Sequence, residues 1–477
     1  MKHLVFRIMV SAFLMIASNL FSQSIEENSG TNLPEVIPPS PTAFQMTRYG
    51  DVPINESTGK ISPNIPLYTY QAGRLQLPIS LSYQGNGVKV DQAASWTGIN
   101  WNLNAGGVIT RTVRGEDDLY FNGVRSSYSY DDLYSIDQSN LEDVKALNAF
   151  ITSVAYSAYD TEADIFNFSF MGYSGGFYLD KNLQPQLTKY ENELKIELDE
   201  TPPLENGIIQ HFKRKITITT PDGVIYSFGG LNASESSYVH RQSAGSSVLQ
   251  DEEAQTSFYL YEIEHPMGDK IFFKYNSYSY NINIAKSKSY TKVVSVDISC
   301  SDAPIPELEK IRYESLNLKS ANAKVLNEIS SNRTDYKINL NSSNTSSSVS
   351  QHYSNVLNTI EVGKLDASSS FEVFKVFSFS YQFPFNGNPN DIANAERFFL
   401  KEVRFLNSGY TKDYSYEMEY NDPENLPNRF SYSQDHLGFY NGKNDNQDML
   451  PQTIHPAFLT NYNSFADKSS DFNFGSK

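Results

Sequence analysis

Gly85–Gly115 reads GNGVKVDQAASWTGINWNLNAGGVITRTVRG. Both tryptophans of the chain, Trp96 and Trp101, fall inside it, and Gly106-Gly107 parts two short apolar alternating stretches. Alternation of period two places successive side chains on opposite faces of a strand. The segment therefore predicts packed β-structure with a turn at the glycine pair. It holds no nucleophile–base pair, no metal-ligand cluster and no phosphate cradle. In such an apolar, glycine-punctuated run, Trp96 and Trp101 are expected to be core anchors and not a ligand platform.

Working outward, the same periodicity recurs. Leu75, Leu77, Ile79, Leu81 and Tyr83 alternate with polar residues, and Pro78 on the wet side suggests an edge position. Phe166, Phe168 and Phe170 alternate with Asn167 and Ser169, after which Gly175-Gly176 is expected to turn the chain. One stretch departs from this rule. Ser139 and Glu142 have the spacing of a capping box, and Leu141, Val144, Leu147, Ile151 and Val154 follow at helical spacing, which predicts one inserted helix near 140–154. From Lys213 a loose strand–turn–strand unit recurs at Lys215–Gly230, Tyr259–Asn276 and Phe405–Asn421. Pro-Asp-Gly and Met-Gly-Asp supply the positive-φ positions that hairpins need in the first two units. The spacing is too irregular for a tandem array. Asn339–Gln351 is a Ser/Asn tract and reads as a loop.

Composition agrees with an all-β, multi-sheet antiparallel protein carrying one inserted helix. Tyr (32) and Phe (30) far outnumber Trp (2), and both suit half-buried pleated surfaces. A net charge of −17 argues against a nucleic-acid partner, which needs clustered cations. Cys300 is the single cysteine, so no intrachain disulfide is possible and the fold must rely on its core. Lys2 and Arg7, the apolar run Ile8–Ile16 and Ser22-Gln23 have the layout of a secretory signal peptide over 1–22. No later run is long enough for a membrane helix. The chain then divides into a flexible leader (23–45), a β-rich region containing the helix (46–230), a hairpin-rich region (231–456) and a polar tail (457–477).

The same segments, taken in order, resemble the N-terminal region of secreted Rhs/YD-repeat proteins of Gram-negative bacteria. Gly85–Gly115 is similar to a stretch near the start of those proteins, and Tyr49–Tyr70 to their opening. Asp160–Asp180 and Thr256–Asn276 resemble two further blocks. Asn421–Asn446 resembles a fourth element, with Leu437 and Phe439 standing in place of its usual aromatics. The resemblance spans Phe44 to Pro451. It implies a secreted or cell-surface β-sheet shell; related toxin subunits wrap a polypeptide cargo in a hollow β-cocoon. These 477 residues lack tandem YD repeats, the aspartate-rich self-cleaving core and a variable C-terminal toxin, which implies a truncated, split or decayed form of a longer parent.

Candidate chemistry is sparse. The acidic triplet Glu116, Asp117 and Asp118 and the loop residues Asn441, Asn444, Asp445 and Asp448 offer oxygen ligands, but neither set has a calcium-motif spacing, so both read as solvated loops. His436 beside Asp435, between Tyr432 and Tyr440, is the best histidine for acid–base work. Neighbours on a strand point to opposite faces, so a structural role is favoured. His211, His240, His265, His352 and His455 lack zinc-ligand spacing. Hence no catalytic, cofactor-binding or metal residue is assigned, no cofactor is expected, and the chain is not expected to be an enzyme. The leading reading is an exported structural module. It would pair by sheet extension, through an uncovered edge near Phe430–Tyr440, with a further polypeptide segment or the adjacent-gene product. The alternatives are an adhesin for surface glycans and, further off, a secreted hydrolase.

Overall fold

The computed structural model describes residues 54–446 except 56–59, 86, 115–116, 120–138, 156–161, 181, 190–192, 200–203, 206–207, 210–212, 244–248, 251–252, 293–308, 345–354, 367–369 and 384–396. The expected signal peptide (1–22), the expected leader (23–45), Glu116, Cys300, Asp448 and the expected polar tail (457–477) lie outside the described residues. Among those described, no helix is long and apolar enough to cross a membrane.

Among the described residues the fold is antiparallel β-structure with one α-helix. A short ladder, β1 (Ile54–Asn55) with β2 (Lys60–Ile61), precedes a three-stranded sheet of β3 (Asn64–Ala72), β4 (Leu75–Tyr83) and β5 (Trp101–Asn104). The β4 alternation holds, with Leu75, Leu77, Ile79 and Leu81 buried. The edge expectation for Pro78 needs correction. β4 is the middle strand, but β5 reaches only Ser80–Tyr83, so Pro78 sits where one flank alone is paired. A missing N–H is harmless there.

At Ala105-Gly106 the chain leaves this sheet for β6 (Gly107–Thr112), which pairs elsewhere. The glycine pair thus marks a change of sheet and not a hairpin. Helix α1 (Leu141–Ala155) falls at the predicted place. Its start differs by one residue: the Asn140 Oδ1 accepts the Glu142 N–H at 3.1 Å, so Asn140 supplies the cap. None of residues 141–149 is buried. Next come β7 (Ile165–Phe170), β8 (Tyr173–Leu179) and β9 (Pro185–Leu187), each paired with its predecessor in the row β6–β7–β8–β9. The chain turns at Met171-Gly172, both with positive φ, and not at Gly175-Gly176. Those glycines lie inside β8 because the Phe168 ring crosses the strand there; a Cβ on Gly175 would meet it at 2.7 Å.

The next strands are β10 (Lys195–Leu198), the short ladder β11 (Leu204–Glu205) with β12 (Ile208–Ile209), then β13 (Lys215–Thr219), β14 (Ile225–Gly229), β15 (Ser234–Ser243) and β16 (Leu249–Gln250). They lead to a meander of β17 (Ala254–Glu264), β18 (Lys270–Lys292), β19 (Glu309–Ser331), β20 (Tyr336–Asn344), β21 (Asn355–Leu365), β22 (Phe371–Gln382), β23 (Phe399–Asn407) and β24 (Lys412–Glu417). From β17 to β24 every strand pairs antiparallel with the next. Gly223 (φ 81) and Gly268 (φ 83) turn the first two predicted hairpins. In the third, Tyr410 (φ 57) takes the left-handed position beside Gly409.

Two features set the architecture. β17 is shared: Ser257–Tyr259 pair with β6 and Ala254–Phe258 with β15, whereas Glu262–Glu264 pair with both β14 and β18. Bulges in the β14 and β15 pairings let one strand serve four neighbours. Second, Asn339–Asn344 is strand and not loop. Ile338 and Leu340 point inward, while the polar positions face outward and bond across the pair, as in Asn341 Nδ2 to Thr359 Oγ1 at 3.0 Å. An all-polar outer face hides a strand from a search for apolar runs.

Candidate functional site

Three buried polar groups organise the molecule, and two lie at the β17 branch. On β6, Ile109 and Arg111 share the inward face, so the register drives a guanidinium into the core. Burying an unpaired charge is prohibitive, and two aspartates, Asp117 and Asp164, pair with it. Asp164 lies in the same inward phase as Phe166, one residue before β7, and pairing of β6 with β7 brings it alongside. Arg111 Nε donates to Asp164 Oδ2 at 2.8 Å, and Nη2 donates to both Asp164 and Asp117. Asp164 also accepts the backbone N–H groups of Arg114 (2.8 Å) and Asp118 (3.1 Å). Asp118 Oδ2 in turn accepts the Asp164 N–H at 2.9 Å. Asp117 Oδ2 is buried without a partner.

This overturns the solvated reading of the acidic triplet, since Asp117 (6 %) and Asp118 (8 %) are buried. Asp117 and Asp164 are the counter-charge of a core arginine, and Asp118 is bonded to the Asp164 backbone. Burial pushes Asp164 up to about 6, with Arg111 pulling it down and Asp118 pushing it further up. Arg111 is lowered by burial, but Asp117 and Asp164 outweigh this and hold it above the ordinary arginine range. The knot reaches β17 through Arg111 Nη1, which donates to the Gln255 carbonyl at 3.2 Å. The Gln255 side chain continues to the Arg214 backbone and the Ser234 hydroxyl.

The second group surrounds Glu235. Its carboxylate accepts the Tyr259 hydroxyl at 2.7 Å and the Tyr280 hydroxyl at 2.9 Å. Burial first, then the Glu235 charge, pushes Tyr259, Tyr278 and Tyr280 above the ordinary phenol range. Ser236 and Asn322 tie the same spot to β19, with Asn322 Oδ1 accepting the Ser236 N–H at 2.9 Å.

The third group is the seat of the tryptophan segment. Trp96 offers its carbonyl to the Leu357 N–H at 2.9 Å, and the Ile99 N–H donates to the Phe398 carbonyl at 2.9 Å. Gly98 (φ 97) fits between them because a Cβ would lie 2.8 Å from the Leu400 nitrogen. Trp101 is 4 % exposed, packs on Tyr83 with ring centroids 5.1 Å apart, and donates Nε1–H to the Tyr420 hydroxyl at 2.9 Å. Trp96 is only half-buried, so the core expectation is met more fully at Trp101. Two buried arginines clamp the approach. Arg397 donates to the carbonyls of Val90 (2.6 Å) and Pro427 (2.6 Å), and Arg429 to those of Asp91 (2.8 Å) and Asn283 (2.8 Å). Burial draws both guanidiniums down to about 10, against the pull of Asp91.

The other sequence candidates do not converge. Asp435 is buried and accepts the N–H groups of Leu437 (2.8 Å) and Phe439 (2.9 Å), so it shapes its own loop, while His436 is exposed. Asn441 is buried and donates to the Gln434 carbonyl at 3.0 Å, and Asn444 accepts the Tyr440 hydroxyl at 3.1 Å. Phe430–Tyr440 contributes only bridges, Gln434 with Tyr440 and Lys89 with Phe439, and no strand of the 17-stranded sheet, whose last strand in chain order among the described residues is β24. Among the described residues, no group of three or more His, Cys, Asp or Glu could hold a metal ion. Sequence reasoning missed Asp164, Glu235, Arg397 and Arg429. Only Asp164 carried a signal, through its inward phase with Phe166, Phe168 and Phe170.

No family model and no curated protein matches the sequence. The chain is similar to the solved TcdB2-TccC3 structure, at 10% identity and a TM-score of 0.41, covering 78% of this chain and 17% of that one. It is similar to the Tc holotoxin pore of Photorhabdus luminescens (11% identity, TM-score 0.37, 73% of this chain, 15% of that one). It is also similar to the N-terminal domain of the effector SpvB from Salmonella typhimurium strain LT2 (8% identity, TM-score 0.31, 72% and 98%). The chain thus spans 17% or less of the first and second of these structures.

Proposed function

We propose that this chain is an exported, non-enzymatic β-sheet structural module, corresponding to the N-terminal part of an Rhs/YD-repeat-type shell or cell-surface protein. The observation that carries the reading is the use made of Gly85–Trp101. Its polar groups and the Trp101 ring are spent on seating one sheet against another, through Leu357, Phe398, Tyr420, Arg397 and Arg429. The buried carboxylates Asp164 and Glu235 likewise face arginine, tyrosine and backbone N–H groups of the same chain.

The test has two arms. The purified protein is assayed for turnover of polysaccharide and peptide substrates and for binding on a glycan array. It is also co-expressed with the product of the adjacent downstream gene and co-purified. The reading expects no turnover, no glycan signal and a stable complex with that product. Turnover lost in a single-carboxylate variant would replace it with a hydrolase, and a glycan signal lost on changing exposed tyrosines would replace it with an adhesin.

A further inference from the structure

One row of the meander's core runs out at an open edge. Leu340, Ile360, Phe377, Phe405 and Tyr414 stand directly opposite one another from β20 to β24. The first four are buried, whereas Tyr414 is 51% exposed. The next row ends the same way: Phe379 and Val403 are buried, and Tyr416 is 44% exposed. Tyr414 stacks on the Phe405 ring with centroids 4.3 Å apart, and Tyr416 packs on the same ring at 5.7 Å. Both tyrosines belong to the core face by register, yet each keeps a side open to water. Among the described residues β24 pairs with β23 alone, so its other flank is an unpaired strand edge.

The opposite face of β24 carries charge. Ser415 and Glu417 alternate with the tyrosines and stand opposite Arg404 and Glu402 of β23. Arg404 and Lys412 are both engaged by Glu402, at 2.6 Å and 3.0 Å. Glu417 is exposed at the edge, as is Asp413, the residue set out of register by a bulge, and Glu419 extends the acidic run. A strand laid along this edge therefore has to set apolar side chains against Tyr414 and Tyr416 on one face and cations against Glu417 on the other. Opposite charges directly across a ladder stabilise it, and like charges destabilise it.

We propose that β24 is a docking edge for a basic polypeptide strand, one that alternates apolar residues with Lys or Arg and adds to the 17-stranded sheet beyond Tyr414 and Tyr416. The inference rests on the structural-module reading above and moves the expected edge from Phe430–Tyr440 to β24. Main-chain bonds supply the affinity of such an added strand, and the alternation supplies its selectivity. A second copy of this chain does not meet the rule. The antiparallel register that continues both tyrosine rows sets Tyr414 against Tyr416 of the copy, and with it Asp413 against Glu417, twice over. Each chain also carries a net charge of −17. The acids that blunt the edge against its own kind thus select a strand of opposite sign.

The test uses the full chain and three paired variants, each checked for folding by circular dichroism. Two alter the edge: Tyr414→Ala with Tyr416→Ala, and Asp413→Lys with Glu417→Lys. The third, Glu142→Lys with Glu372→Lys, makes the same charge change at exposed sites elsewhere. The probe is a labelled peptide of alternating valine and lysine, followed by fluorescence anisotropy. It is compared with its glutamate counterpart and with a fully backbone N-methylated form, which keeps the charge but has no N–H to donate. The parent should bind the lysine peptide and bind the other two at least tenfold more weakly. Both edge pairs should bind the lysine peptide at least tenfold more weakly than the parent, and the Glu142/Glu372 pair should match the parent. No binding by the parent, equal binding of the N-methylated peptide, edge pairs that bind like the parent, or an equal loss in the Glu142/Glu372 pair would overturn the proposal. So would a parent whose self-association in sedimentation is abolished by both edge pairs. Co-purification with the downstream product separates this inference from the reading beneath it. A complex retained by the parent and by both edge pairs removes β24 as the edge and leaves the structural module standing, whereas turnover or glycan binding removes the module itself.

Discussion

The Arg111 knot predicts an unusual pH dependence of stability. Asp164 ionises near 6 in the folded chain against an ordinary value of 3.8. Between these pH values the folded chain keeps a proton that the unfolded chain releases. Raising the pH through that window therefore removes stability, and lowering it adds stability. The gap corresponds to at most about 3 kcal/mol, at about 1.4 kcal/mol per pH unit. Two other acids act in the opposite sense at lower pH. Asp269 is held down to about 2, first by the Arg74 N–H, and Glu402 to about 2, first by Arg404. Their contributions are full above the ordinary carboxylate range and are lost as the pH falls toward 2. Stability should thus peak at about pH 4 to 5 and decline on both sides. Urea unfolding followed by fluorescence between pH 4 and 8 would measure this for the parent and for Asp164→Asn. The variant should lose most of the decline between pH 4 and 6. Parallel profiles for the two proteins, or a parent that gains stability relative to the variant over that interval, would refute the reasoning.

Further predictions concern the seat and the branch. Trp101→Ala should destabilise the protein by about 3–5 kcal/mol, whereas Trp101→Phe, which loses the bond to Tyr420, should cost about 1 kcal/mol; an unchanged melting temperature in the alanine variant would reassign Trp101 to ligand binding. Gly98→Ala meets both a left-handed φ and the Leu400 nitrogen, so it should cost at least about 1–3 kcal/mol in chemical denaturation, and wild-type stability would contradict the close approach. Tyr259→Phe and Tyr280→Phe each remove a donor from buried Glu235 and should cost about 1–3 kcal/mol; near-zero changes in both would mean that the carboxylate is not held by these phenols.

The parts of the fold legible in the sequence were those with one wet face. Leu75–Tyr83 and Phe166–Phe170 alternate as their periodicity requires, because water on one side and core on the other impose period two. The helix was legible because its spacing differs from everything around it. The reading failed where both faces are covered or neither is apolar. Ser234–Ser237 is buried at four consecutive positions by the β17 branch, so no period remains to be read. Asn339–Asn344 pairs through polar side chains and looked like a loop. Of the site, Trp101 was legible as an anchor, and Arg111 was not. The meaning of the acidic triplet depends on which strand lies opposite, and that is fixed by Asp164, more than forty residues away. Arg397 and Arg429 bind backbone carbonyls, which carry no side-chain signature.

The seat of the tryptophan segment also fixes an order of events in folding. Between β17 and β24 each strand finds its partner in the neighbour just made, so the meander can assemble by short loop closures. Trp101 must wait for Tyr420, 319 positions later, and Asp91 for Arg429, 338 positions later. A chain emerging from its N-terminus therefore carries an unseated, apolar Trp96–Trp101 segment until nearly all the meander exists. Through that interval the segment is exposed surface that a chaperone can hold, and its docking reports arrival of residues 398–429. Ribosome-stalled chains ending before Phe398 should leave this segment open to protease, and chains extending past Phe430 should protect it.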